Sequence, residues 1–151
     1  MLVAEIREAD LHDIPALVEL LGELLAQERD FMPDRDKQAR GLGLILNHPE
    51  RGRIFTARLN EAVIGMANAL FTVSTAEGGP VILLEDVIVA GPYRGQGIGR
   101  QVFDHVLRWA RDNGFLRVSL LTDKDNTGAL RFYERHGFVR SRMSVLRHAI
   151  K

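Results

Sequence analysis

Between residues 81 and 102 the chain reads VILLEDVIVAGPYRGQGIGRQV: a β-branched apolar run, a Gly-Pro break, three glycines at alternate positions, then the start of an amphipathic helix. A strand that ends in a glycine-rich turn and opens a helix commits the chain to an α/β arrangement, with this apolar strand buried. The turn also has a chemical character. The first N–H groups of a helix have no intrahelical partner, the helix dipole adds partial positive charge, and residues without Cβ let a ligand approach the backbone, so the segment is suited to an anion such as phosphate.

The remaining sequence fits one compact domain. The chain has 151 residues, of which 46% are apolar, enough for a single core and too few for two. There is no cysteine, which excludes disulfides, thiolate metal sites and cysteine nucleophiles. The N-terminus MLVAEIREAD carries acids and no basic start followed by a long apolar run, and the longest aliphatic run is broken by Glu85 and Asp86, so a soluble, cytoplasmic protein without a membrane partner is expected. Net charge is zero but polarised, at −6 over residues 1–50 and +5 over residues 101–151. This gradient suits either solvated helix faces or a cationic ligand near one end and an anionic one near the other. Aromatics are few and basic residues scattered, so no nucleic-acid partner is expected.

Periodicity supplies the other elements. VAEIREA alternates as a strand, and Asp10 or Asp13 can cap a helix in which Ile14, Leu17, Val18, Leu21, Leu24 and Leu25 recur at helical spacing. A second helix carries Leu42, Leu44, Ile45 and Leu46. Two strands joined at Asn60-Glu61, a turn at STAEGGP and the run VILLEDVIVA predict three consecutive antiparallel strands. Ile98, Val102, Val106 and Trp109 give a helix ended by Gly114, LRVSLLT a strand parallel to LLEDVIV, and a short helix from Asn126 ends at Gly137. Residues 138–149 are expected to supply one or two final strands. The predicted order is β-α-α-β-β-β-α-β-α-β, a mixed α/β fold.

Three nucleotide signatures can be set against RGQGIGRQV. A dinucleotide fingerprint needs G-x-G-x-x-G, whereas Gly95, Gly97 and Gly99 give G-x-G-x-G after a meander. A phosphate-binding P-loop needs Lys followed by Ser or Thr, and Arg100-Gln101 supplies neither. The third fits: Arg94-Gly95-Gln96-Gly97-Ile98-Gly99 resembles the R/Q-x-x-G-x-G/A pattern of the GNAT superfamily of acyl-CoA-dependent N-acetyltransferases, and NTGALRFYERHGF resembles that family's second signature at the expected distance. The resemblance extends over essentially the whole chain. One departure is Gly91 where the family often has Pro; Pro92 follows, and the spacing to Arg94 is intact.

The resemblance implies a single N-acetyltransferase domain over residues 1–151, with acetyl-CoA as co-substrate, a small amine as acceptor and, as in many relatives, a homodimer. It implies a GNAT-like fold in which the fourth and fifth strands splay, so that the backbone of Val87, Ile88 and Val89 pairs with the pantetheine arm. The amides from Gly95 through Arg100 would hold the pyrophosphate, with Arg94, Gly95, Gln96, Gly97, Ile98, Gly99 and Arg100 as the binding loop, and Asn126 and Tyr133 would also contact the cofactor. Tyr133, two helical turns after Asn126 on the same face, would be the acid that protonates the leaving thiolate, and the Val87 N–H would polarise the thioester carbonyl.

A base is also needed, because the amine must attack in its neutral form. Glu85 and Asp86 are expected to point to opposite sheet faces, with Glu85 sharing parity with Val87 and occupying the place of the acid in the LED strands of polyamine and amino-sugar-phosphate acetyltransferases. Glu85 then either takes the proton, directly or through water, or only attracts a cationic substrate or pairs with a nearby Arg. The chain is also similar to polyamine acetyltransferases here, and Glu28, Asp30, Asp34 and Asp36 would present acids near the acceptor's entry. A non-catalytic CoA-binding or sensing module on the same fold is the rival reading, and acetylation of a protein N-terminus or lysine another. Histidines 12, 48, 105, 136 and 148 have no metal-ligand spacing, and no metal is expected.

Overall fold

The computed structural model describes residues 2–26 and 32–150. By their internal contacts these fall into two compact units, Met1–Leu121 and Thr122–Lys151, taken here in turn.

The first unit opens with β1 (Glu5–Glu8) and a short 3-10 turn (Leu11–Asp13), followed by α1 (Ile14–Leu25) and α2 (Arg35–Leu46). Both candidate caps are used at the first boundary. The Asp10 side chain accepts from His12 N–H while Asp13 Oδ2 accepts from Asp10 N–H, a reciprocal box that satisfies amides the turn leaves open. Three antiparallel strands then follow, β2 (Gly52–Leu59), β3 (Ala62–Ser74) and β4 (Gly79–Val89). Asn60 and Glu61, at φ 48° and 73°, form the two-residue turn between β2 and β3. After the glycine turn come α3 (Ile98–Asp112) and β5 (Val118–Leu120), and the sheet order is β1-β2-β3-β4-β5 with β4 and β5 parallel.

Helices cover both faces of this sheet. Ile54, Met66 and Ile88 pack on one face with Leu17, Val18, Leu20 and Leu21 of α1 and Leu42 of α2. On the other face Phe55 makes edge contacts with His105 and Trp109 of α3, at 5.4 Å between ring centres in both cases. Neighbouring strand residues point to opposite faces, so Ile54 and Phe55 separate the two helical layers. The α3 stripe of Ile98, Val102, Phe103, Val106 and Ala110 is buried, and each of its larger side chains contributes about 1.5–3 kcal/mol by leaving water.

Among the described residues one charged pair lies inside. Arg58 Nη2 meets Asp13 Oδ2 at 2.6 Å with both residues almost fully buried, and Arg58 Nε donates to Thr56 Oγ1, which donates to the Arg7 carbonyl. Burial acts to raise the Asp13 pKa, but the hydrogen bonds from Arg58 and from the Asp10 amide, with the guanidinium charge, bring it below its ordinary value. Removing one partner of such a pair costs about 3–5 kcal/mol, because the other is left as a buried charge.

In the second unit, α4 (Thr127–Arg135) follows its cap Asn126, and Gly137 at φ 88° ends it in the left-handed conformation its composition predicts. The expected final strands are absent: among the described residues 138–150 no strand forms, and Val139, Met143, Leu146 and Ile150 are exposed. Alternation alone does not make a strand. A strand needs a backbone partner for its N–H and C=O groups, and the ladder ends at β5, which has only three paired residues.

Candidate active site

The glycine segment is organised by left-handed residues. Gly91–Tyr93 form a 3-10 turn after β4, then Gly95 and Gly97 take φ 75° and 85° and turn the chain into α3. Gly97 is the N-cap and offers no side-chain bond, and the first helical return is Gln101 N–H to the Gly97 carbonyl at 3.2 Å. The amides of Ile98, Gly99 and Arg100 therefore precede the first intrahelical bond, at the positive end of the dipole. The side chains of Arg94 and Gln96 serve the loop itself: Arg94 Nε donates to the Val89 carbonyl at 2.8 Å and Gln96 Nε2 to the Pro92 carbonyl at 3.1 Å.

Beside this turn lies the C-terminal end of β4. The register of β4 with β5 covers Ile82–Leu84, so Val87–Val89 lie beyond that three-residue ladder. Ala90 N–H bonds to the Ile64 carbonyl of β3 at 2.7 Å, and by alternation the N–H and C=O of Val89, and of Val87 two residues earlier, point away from β3. Ile88 differs from both, which corrects its expected part in holding the pantetheine arm: by the same alternation its N–H and C=O face Met66 of β3, and its side chain is buried in the core.

The β4 edge is not regular, and this corrects the parity expected for Glu85. Ile88 pairs with Met66 and Glu85 with Asn68, so Asp86 and Val87 together oppose the single residue Ala67. That is a β-bulge, with Asp86 at φ 53° as its left-handed member. Glu85 consequently shares a face with Ile88 rather than with Val87. Asp86 Oδ2 accepts from Asn68 Nδ2 at 3.2 Å, and burial raises the Asp86 pKa although the Asn68 bond opposes the shift.

Within the second unit, Asn126 caps α4 through its Oδ1, which accepts from Ala129 N–H at 3.1 Å; its Nδ2 is the end suited to a ligand. Tyr133 is half-buried, edge-on to Phe132 and Phe138, and burial raises its phenol pKa. Such a phenol is protonated at neutral pH, as a proton donor must be.

Of the four acids expected near the acceptor, Glu28 and Asp30 lie outside the described residues. Asp34 caps α2 by accepting from Lys37 N–H at 3.1 Å, and Asp36 is exposed in its first turn. Three histidines have local structural contacts: His48 and His136 each bond a carbonyl four residues back, and His105 packs on Phe55. Sequence reasoning missed Asn68, a polar residue 3% exposed inside the apolar run GMANAL, and Gln101, whose amide bonds both Ala4 N–H and the Leu2 carbonyl. The interruption of an apolar strand by Asn was the available signal for the first; nothing local marks the second.

Comparison with known proteins agrees with this geometry. Residues 15–138 match the acetyltransferase (GNAT) family. Aminoalkylphosphonate N-acetyltransferase of Salmonella typhimurium is 30% identical over 141 residues, covering 93% of this chain and 88% of that protein. Streptothricin acetyltransferase A of Bacillus subtilis is 37% identical over 57 residues, 38% of this chain and 33% of its own length. The structure of an aminoglycoside acetyltransferase from an uncultured soil metagenomic sample, in complex with sisomicin, superimposes with a TM-score of 0.80 at 20% identity, over 98% of this chain and 97% of that one, which speaks for the fold. With the match extending from α1 to the end of the second signature, the chain belongs to the GNAT family of acetyltransferases.

Proposed function

We propose that the protein transfers the acetyl group of acetyl-CoA to a primary amine of a small, cationic acceptor in the cytoplasm, by direct attack in a ternary complex, and that its two units act as one domain. The observation that carries this reading is the left-handed glycine turn opening α3 directly after the Val87–Val89 end of β4, which lies beyond the three residue pairs that join β4 to β5. Free amides suit a pyrophosphate, and the Val87 N–H and C=O and the Val89 N–H, which point away from β3, suit the amide-bearing pantetheine arm. The family match runs across both units, which supports treating them as one domain.

The chemistry needs no covalent enzyme intermediate. The neutral amine nitrogen attacks the thioester carbonyl carbon, the Val87 N–H polarises the carbonyl oxygen, the C–S bond breaks, and the Tyr133 phenol gives its proton to the sulfur. Glu85 takes the ammonium proton before attack, directly or through water, and the second proton that the nitrogen sheds as the amide forms restores the Tyr133 phenol, so that amine and thioester become amide and thiol. An amine acceptor is supported by the relative that is named as an aminoalkylphosphonate N-acetyltransferase.

Thiol release measured over a panel of amines, with wild type and Tyr133→Phe, tests the proposal. We expect turnover on at least one amine and a loss of roughly 100-fold in kcat for the variant, the usual scale for one general acid. Equal turnover by both proteins removes Tyr133 as the acid. Stabilisation by acetyl-CoA, about 4 kcal/mol at a thousand times Kd, without turnover on any amine would favour a CoA-binding module.

A further inference from the structure

Among the described residues three non-glycines have positive φ. Asn60 and Glu61 form a hairpin turn, which requires that conformation. Asp86 stands in the middle of a strand, where nothing in the chain direction demands it. Its side chain meets that of Asn68, the β3 residue paired with Glu85, which is buried in a stretch whose neighbours are apolar or glycine. Its Nδ2 donates to Asp86, and its Oδ1 is buried without a partner. For packing alone both groups are poor choices, since each loses hydration that an apolar side chain would not need.

What the two groups achieve together is geometric. We propose that Asp86 and Asn68 form a positioning clamp: their hydrogen bond holds the left-handed residue that makes the β4 bulge, and the bulge sets where the Val87 N–H and the Glu85 carboxylate stand for acetyl transfer. The consequence for catalysis rests on the reading above; the clamp itself rests on the geometry. Asp tolerates the left-handed region better than most residues because its short polar side chain finds local hydrogen bonds. An amide offers both a donor and an acceptor, so Asn68 can hold an ionised carboxylate through Nδ2 and a protonated one through Oδ1, which accounts for an acceptor with no partner in the present arrangement. Without the bulge, one residue of register would be lost and Ile88 would turn out of the core.

The test compares Asp86→Ala, Asp86→Gly and Asp86→Asn, with Asn68 watched separately. Asp86→Ala should lower kcat at least tenfold with the KM for acetyl-CoA within twofold, since the pyrophosphate turn is untouched. Asp86→Asn, which keeps a hydrogen-bonding group and tolerates the left-handed conformation, should recover most of that loss. An Asp86→Asn protein as slow as Asp86→Ala would overturn the clamp in favour of a charge or proton role, and so would wild-type kcat in Asp86→Ala. Asp86→Gly serves if Asp86→Ala does not fold. By NMR, the Asn68 side-chain amide protons should be protected from exchange in wild type and in Asp86→Asn and exchange at least tenfold faster in Asp86→Gly. Equal protection in all three overturns the clamp. This readout decides the matter even if the wild type acetylates no amine, which would count against the proposed function alone.

Discussion

Two places in the β4–α3 segment depart from regular backbone, and they do so by different means. The turn into α3 uses Gly95 and Gly97, at φ 75° and 85°, while the bulge in β4 uses Asp86 at φ 53°. Glycine enters the left-handed region without a Cβ penalty, so the turn is encoded by residues that announce it. Asp86 carries a Cβ and a carboxylate, and its conformation depends on Asn68, eighteen positions earlier and on another strand. The first device is local and can be read from the sequence; the second is a contact, and exists only once β3 and β4 have paired.

Replacing a glycine in the first device should have the largest effect. Gly97→Val puts a β-branched side chain at a left-handed position, which costs about 1–2 kcal/mol, and it also crowds the approach to the α3 amides. Acetyl-CoA affinity by calorimetry should fall more than tenfold, and unchanged affinity would break the assignment of this turn as the anion cradle. The contact-made device should respond to loss of its partner. Asn68→Leu leaves the Asp86 carboxylate buried without its donor and should destabilise the fold by about 1–3 kcal/mol in denaturant titration at neutral pH.

A third measurement sets two aspartates, Asp86 and Asp13, against each other. The Asp86 pKa is raised in the folded protein from an ordinary 3.8, so its stability contribution is complete below that value and is lost as pH rises through the folded pKa. The Asp13 pKa is lowered, so its contribution is present above 3.8 and is lost as pH falls through the folded pKa. Unfolding free energies from pH 3 to pH 7 should therefore show Asp86→Asn gaining on wild type as pH rises; a parallel pair of curves would mean that Asp86 is not held in a desolvated site. The smallest effect belongs to Glu61, a non-glycine residue at φ 73° in the β2–β3 turn. Glu61→Gly should stabilise the protein by about 0.5 kcal/mol, the left-handed penalty relieved less the extra chain entropy of glycine.

How much of this could be read beforehand follows the same division. Helices α1 and α2 were legible from their apolar residues at helical spacing, α3 and α4 also from the glycines that end them, and the β2–β3 turn was legible at Asn60-Glu61. The strand ends were less so: LRVSLLT yields only Val118–Leu120, and VRSRMSVLRHAI alternates without forming a strand, since pairing depends on a partner elsewhere. The site divided likewise. The glycine turn, Asn126 as the start of α4 and the signature carrying Tyr133 were visible as spacing. The parity of Glu85 was not, because one extra residue in β4 reverses every face that simple alternation assigns.

The sequence by itself determined the segments and their chemistry: an apolar strand, three glycines, a helix start and a second signature, all properties of neighbouring residues. Only the tertiary structure decided where β4 leaves β5, which residue forms the bulge, and that Asn68 stands against Asp86. These depend on contacts between residues far apart in the chain, whose closure entropy is recovered only when the whole sheet and its covering helices assemble.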